Sequence, residues 1–155
     1  MNDEIILKGI LYTAPKTKAR PRLTKGGKAY NPESTRIAQR KQALLFKGFS
    51  YKSNNKFPLS KKLPLEVHLT FYHKGGKKVE PKLTVPDIDN LCKLTLDAIT
   101  DAGVWKTDSQ ITKLVTEDLW AGPDGKPRIE FLIKEHKVKT ENIEEQNEEQ
   151  NNNKD

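Results

Sequence analysis

The chain has 155 residues, a formal net charge of +7 and a hydrophobic content of 34%, so its length predicts one domain with a single modest core. No apolar stretch approaches the roughly 20 residues of a membrane-spanning helix, and no secretory signal is visible. The only cysteine, Cys92, can form neither an intrachain disulfide nor a cysteine-based zinc site. We therefore expect a soluble cytoplasmic protein.

The charge is divided unevenly along the chain. Residues 1–134 carry a net charge of +11, whereas residues 135–155 carry −4. A body this basic suits nucleic acid or another polyanion, although a lysine-rich surface can also serve solubility alone. The C-terminal segment is rich in Glu, Asn and Gln and has almost no apolar residues. We therefore predict a folded domain over residues 1–137 and a disordered acidic tail over 138–155.

The first half of the chain predicts two strands, a helix and a third strand. Ile37, Leu44 and Leu45 recur at helical spacing and predict an amphipathic helix. Beyond it, apolar and polar residues alternate strictly and predict a half-buried strand. In chain order these elements are a strand at 4–12, a basic loop at 13–31 with a short strand at Lys28–Tyr30, a helix from Pro32 to about Gly48, a polar loop at 49–62 and a strand at 65–72.

The second half predicts another helix followed by a pair of strands. Leu91, Leu94 and Ala98 line one face of this helix, and Lys93 and Asp97 line a neighbouring polar face. In chain order the elements are a mobile basic loop at 74–84, a helix that opens at Pro86–Asp87 and ends near Gly103, and strands at 111–120 and 128–135 that the turn at 122–127 joins into a hairpin. The whole order predicts one small α/β (α+β) domain, with a mixed β-sheet and two main helices packed on it.

A run of carboxylates lies in and around the second predicted helix of this basic chain. Two ionised carboxylates about 4 Å apart repel by roughly 4 kcal/mol at an effective dielectric near 20, so either they point apart or a cation lies between them. Helix capping explains one aspartate at a helix start, but it explains the pair Asp87 and Asp89 less well. The turn after Gly103 returns the chain toward the sheet, so Asp108 can approach the same helix end. Three carboxylates with open water positions suit Mg²⁺ or Mn²⁺ facing a phosphate, and the point charge of Lys93 can stabilise the transition state or the leaving oxygen.

Four short motifs occur together in this region at fixed spacings. They are Asp-Ile-Asp-Asn-Leu-Cys-Lys at 87–93, Leu-Asp-Ala at 96–98, Ala-Gly-Val at 102–104 and Asp-Ser-Gln at 108–110. On these motifs the chain resembles the RusA family of Holliday junction resolvases, densely over 85–114 and more loosely over about 5–134.

The resemblance implies a homodimeric, Mg²⁺- or Mn²⁺-dependent endonuclease with a small α/β fold, which nicks two opposing strands of a four-way DNA junction in recombination and repair. The family's metal ligands map onto Asp87, Asp89 and Asp108, and its catalytic lysine maps onto Lys93. Supporting hydrogen bonds are expected from other signature positions, namely Asn90, Asp97 and Ser109.

Basic residues crowd the Pro/Gly-rich loop before the first helix, and the segment at 16–22 is similar to the family's basic loop. Cations of this kind can follow a phosphate backbone and release counterions, although a merely solvated loop is the alternative. The predicted DNA-binding residues are Lys16, Lys18, Arg20, Arg22, Lys25 and Lys28 in the loop, and Arg36 and Arg40 on the first helix.

Two other functions stay open at this point. A non-catalytic structure-specific DNA-binding protein would keep the fold without cleavage, although all four residues assigned to cleavage are present. A metal-dependent nuclease for flaps, forks or RNA also fits, because the metal site would recognise a phosphate group and not the shape of the branched nucleic acid. No glycine-rich phosphate cradle precedes a helix, so we expect no nucleotide cofactor, and we expect no membrane partner.

Overall fold

Five strands form one mixed sheet and two helices pack on it in the computed structural model, which describes residues 4–19, 22–30 and 32–139. The helices contact each other as well as the sheet. The elements are β1 Ile5–Leu11, β2 Arg22–Leu23, β3 Ala29–Tyr30, α1 Glu33–Lys52, β4 Leu65–His73, β5 Gly75–Pro81, α2 Ile88–Asp101, a 3-10 helix at Asp108–Gln110, β6 Ile111–Gly122 and β7 Arg128–Glu135. This confirms the predicted small α+β domain with a mixed sheet and two main helices.

The strand order in the sheet is β1-β7-β4-β6-β5, and only the pair β4 and β6 is parallel. The predicted hairpin of the last two strands is therefore wrong, because β4 lies between β6 and β7. The apolar residues explain this insertion, since Leu69 and Phe71 of β4 pair with Phe131 and Ile129 of β7 and all four are buried. Residues 123–127 are long enough to cross the roughly 10 Å between strands that are two positions apart in a sheet.

The prediction of a mobile loop at 74–84 was also wrong, because residues 75–81 form the strand β5. It pairs with the last part of β6, where Val79 lies opposite Ala121 and Glu80 lies opposite Trp120. Gly76 has a φ of +81°, and a Cβ there would lie 2.5 Å from the Cβ of Trp120, so this glycine permits the close approach. The Lys/Gly-rich segment lacks the alternation that identifies a strand, and its pairing depends on β6.

α1 runs four residues beyond the predicted end at Gly48, and its buried face is not the predicted one. Ile37 and Leu44 are 62% and 65% exposed, whereas Phe46 is fully buried. Phe46 and Phe49 lie one turn apart and both meet Phe131 edge-on, with ring centroids 5.0 and 5.2 Å apart. These contacts hold the last turns of the helix on the sheet and outweigh the low helix propensity of the glycine.

α2 forms as predicted, with Leu91, Leu94, Ala98 and Ile99 buried along one face. Gly103 follows the helix with a φ of +76°, which is the left-handed conformation that glycine adopts without steric cost. The C-terminal tail cannot be compared with its prediction, because residues 140–155 lie outside the described residues. Within the described ranges, no helix combines the length and apolar character needed to cross a bilayer.

Candidate metal and DNA-binding site

Asp87 and Asp89 lie together at the N-terminal end of α2, and both are exposed. Asp87 occupies the N-cap position, but its side chain makes no capping hydrogen bond. Its backbone carbonyl instead accepts the first helical bond from the amide of Leu91 at 3.2 Å. The capping alternative is therefore wrong for Asp87, and its carboxylate remains available to a ligand.

Asp87 lines a groove of about 560 Å³ between the loop before α2 and the second half of β6. It is lined by residues 81–88 on one side and 116–119 on the other. The Cys92 thiol donates to the hydroxyl of Thr116 at 3.4 Å, which fixes the first turns of α2 against the same part of β6. Burial raises the pKa of this thiol, as expected for a cysteine that packs as a small hydrophobic residue.

Asp108 lies at the opposite end of α2. Its turn is held there, because the Trp105 indole donates to Thr100 at 2.7 Å and the Gln110 amide donates to the carbonyl of Ser60 at 2.7 Å. A helix of 14 residues is about 21 Å long. Asp87 precedes this helix and Asp108 follows it, so the turn does not return Asp108 to the helix start.

The positions of the two aspartates along β6 also show that Asp108 lies far from Asp87. Asp87 lies beside residues 116–119, whereas Asp108 precedes Ile111, the first residue of the strand. Five strand residues span roughly 17 Å. Among the residues that the structure describes, no three His, Cys, Asp or Glu side chains form a group that could hold a metal ion. The folded chain thus places Asp87 and Asp89 at the same end of α2 but leaves Asp108 apart.

Lys93 is exposed on α2, one turn after Asp89, and its Nζ lies 3.4 Å from Oδ1 of Asp97. Asp97 also accepts a hydrogen bond from Nζ of Lys18. The backbone amide of Lys18 donates to the carbonyl of Asn90 at 3.3 Å. The first part of the basic loop is therefore docked on the helix that carries Asp89 and Lys93.

The predicted DNA-binding residues fall into two regions of the surface. Arg22 lies in the short ribbon of β2 and β3, and the loop lysines other than Lys18 are exposed. Arg36 and Arg40 are exposed on α1 and share a groove with Asp101, at the C-terminal end of α2. The exposed loop residues are Lys16, Arg22, Lys25 and Lys28. Arg20 lies outside the described residues.

A histidine near the groove was missed by the sequence reasoning. His73 Nε2 lies 2.6 Å from Oδ1 of Asp118, and both side chains are nearly buried. Burial lowers the pKa of His73, although the Asp118 carboxylate acts to raise it. The two residues are 45 positions apart and meet because β4 and β6 pair in parallel. The contact between His73 and Asp118 follows only from this strand pairing, and the predicted hairpin of β6 and β7 did not include it.

A family model described as endodeoxyribonuclease RusA matches residues 13–134. The chain belongs to the RusA family. Membership indicates an endodeoxyribonuclease that acts on branched DNA junctions, and it confirms the resemblance seen in the motifs. The RusA match extends from the basic loop to Lys134 in β7, so it includes the five-stranded sheet except β1 and the last residue of β7. No curated protein matches the chain.

A RusA nuclease with this basic surface should bind DNA with a strong dependence on salt. If six to ten phosphates are contacted, affinity should fall by roughly 10³ to 10⁵ between 50 and 200 mM salt. Arg22→Ala should weaken binding and reduce the slope of log Kd against log salt by about 1. Gel-shift titrations of a four-way junction in EDTA measure both quantities. Lys56→Ala, an exposed change outside the predicted set, is the matched control, and an equal effect of both variants would exclude a specific contact by Arg22.

Proposed function

We propose that the chain is a homodimeric, Mg²⁺- or Mn²⁺-dependent nuclease that resolves four-way DNA junctions in the cytoplasm by paired symmetric nicks. The observation that carries the proposal is the uncapped, exposed pair Asp87 and Asp89 at the start of α2, with Lys93 one turn later. Family membership supplies the nuclease activity and its branched substrate. The metal, the dimer and the role of each residue belong to the proposal.

The donor set fits a hard divalent cation. Asp87 and Asp89 offer carboxylate oxygens, which are the ligands that Mg²⁺ and Mn²⁺ prefer. Two carboxylates from one protomer do not make up the expected set of three, because Asp108 is about one helix length away. A second copy of the chain can supply the third carboxylate if its own Asp108 reaches the groove beside Asp87.

The edge of β6 supports such a dimer. Within the described residues, β4 pairs with β6 from Ile111 onward, but β5 pairs with it only from Leu119. The intervening edge carries Leu114 and Val115, which are 41% and 39% exposed. An unpaired strand edge with exposed apolar residues is a ready template for another strand.

Antiparallel pairing of this edge with its copy around a two-fold axis would complete the site. If Leu114 lies on the axis, residue 111 of one copy lies opposite residue 117 of the other. Asp108 of the partner subunit then approaches the part of β6 that lines the groove beside Asp87. The symmetry generates two equivalent sites, which suits two nicks in a junction of similar symmetry.

Each group of residues would have a separate role in cleavage. Asp87 and Asp89 of one subunit and Asp108 of the partner subunit would hold the metal, which would supply an activated water and offset charge on the scissile phosphate. Lys93 presents an ammonium group to a phosphate oxygen or to the leaving oxygen. The exposed loop cations bind the flanking phosphates and orient the junction.

Cleavage of a labelled substrate panel tests this proposal. The panel contains a four-way junction, a fork, a flap, a duplex, a single strand and an RNA, each with Mg²⁺, Mn²⁺ or EDTA. We expect paired nicks in the four-way junction with either metal, none in EDTA, and retained junction binding in EDTA. Faster cutting of forks, flaps or RNA would favour the broader nuclease, and metal-independent cutting would contradict the proposed chemistry.

A further inference from the structure

Asp97 lies between two lysines that hold it unequally. Its Oδ2 accepts a hydrogen bond from Nζ of Lys18, whereas its Oδ1 is 3.4 Å from Nζ of Lys93. The side chains of Lys18 and Asp97 are 24% and 17% exposed, but that of Lys93 is 55% exposed. Lys18 is thus the close and shielded partner, and Lys93 is the loose and solvated one.

Lys18 is also fixed by its backbone. Its amide donates to the carbonyl of Asn90 in α2, and the next amide, of Ala19, donates to the hydroxyl of Thr35 in α1 at 3.3 Å. These bonds place the ammonium of Lys18 over α2. An ammonium engaged in this way is not available to bind a DNA phosphate unless the ion pair breaks.

Removing Lys18 would change what Asp97 does. The carboxylate would keep only one basic neighbour, Lys93, at the i,i+4 spacing that lets helical side chains pair. In a half-buried setting a lone carboxylate attracts its remaining partner more strongly than in water. Lys93 would then be held along the helix, directed toward Asp97 and away from Asp89.

We propose that Lys18 is a positioning residue, which takes up the charge of Asp97 so that Lys93 remains free to reach the scissile phosphate. The inference rests on the proposed function, because it takes Lys93 to be the residue that touches the phosphate. It also links the DNA-binding loop to the chemistry, since a residue in the docked part of the loop sets the freedom of Lys93. A direct phosphate contact by Lys18, as expected from the sequence, is the competing role.

A rescue experiment separates these roles. Lys18→Met should lower the single-turnover cleavage rate at saturating enzyme on the order of tenfold, as for other small displacements of catalytic groups, while junction affinity in EDTA changes little. Adding Asp97→Asn to Lys18→Met should restore most of the rate, because the carboxylate that captures Lys93 is gone. Lys18→Arg should keep nearly the wild-type rate, because the arginine still neutralises Asp97.

Failure of this inference can be told apart from failure of the proposed function by the cleavage rates of the variants. Lys93→Ala is the reference: if it cleaves junctions normally, the proposed role of Lys93 is wrong. If Lys93→Ala is inactive but the double variant is no faster than Lys18→Met, the positioning role is overturned. A loss of affinity in Lys18→Met that Asp97→Asn does not repair would assign Lys18 to phosphate binding instead. Melting curves for every variant identify loss of the fold, and Lys18→Arg serves as the test if Lys18→Met does not fold.

Discussion

Mixing the two inactive variants Asp87→Asn and Asp108→Asn should restore junction nicking to about a quarter of the wild-type rate, because half of the randomly exchanged two-fold dimers are mixed and each mixed dimer has one intact site. Each variant alone should lose cleavage while keeping its fold, since asparagine keeps the size and polarity of aspartate and removes the charge. In a mixed dimer, one site collects both changes and the other keeps both native carboxylates. This result requires that Asp87 and Asp108 of one site come from different subunits.

The control is the mixture of Asp87→Asn with Asp89→Asn, which should stay inactive because both ligands come from the same subunit. Nicked product is measured after subunit exchange, since one active site cuts one strand. Junction binding by each variant in EDTA should persist or improve, because one negative charge facing the phosphates is gone. An inactive Asp87→Asn and Asp108→Asn mixture, with dimers intact, would place the site within one subunit. Near wild-type cutting by Asp108→Asn alone would remove this residue from the site.

Leu114→Lys should convert the proposed dimer to monomers and reduce cleavage to background. Leu114 lies near the middle of the exposed β6 edge, so two-fold pairing there sets the two introduced ammonium groups opposite each other, where like charges destabilise a strand pair. The added charge is positive, so electrostatic attraction to DNA is not weakened. Sedimentation and light scattering give the mass, and the Mg²⁺-dependent nicking assay gives the activity.

Leu44→Lys is the matched control, because Leu44 is an exposed leucine on α1, away from the β6 edge. It should leave the mass and the nicking rate close to those of the wild type. A Leu114→Lys protein that stays dimeric would exclude this edge as the interface. A monomeric Leu114→Lys protein that still nicks junctions would show that one subunit holds a complete site.

Local periodicity was enough to predict elements whose burial depends on their own pattern. The spacing of Leu91, Leu94 and Ala98 predicted the buried face of α2, and the uninterrupted alternation of β4 predicted a half-buried strand. Where partners decide burial, the same reasoning failed. Ile37 and Leu44 have helical spacing but face solvent, because the aromatic pair Phe46 and Phe49 meets Phe131 on the sheet.

The sequence alone was enough to identify the family and to select the residues that we propose for the site. The motifs from Asp87 to Asp108 identify the proposed carboxylates and lysine, because a motif consists of residue types at fixed separations along one chain. The tertiary structure decided where those groups lie in space. It put β4 between β6 and β7, exposed the β6 edge, docked Lys18 on Asp97, and set Asp108 at the opposite end of α2 from Asp87. The physical reason is that separation along a chain does not give distance: a rigid helix keeps its two ends about 1.5 Å per residue apart, and strand order follows from burial against elements distant in sequence.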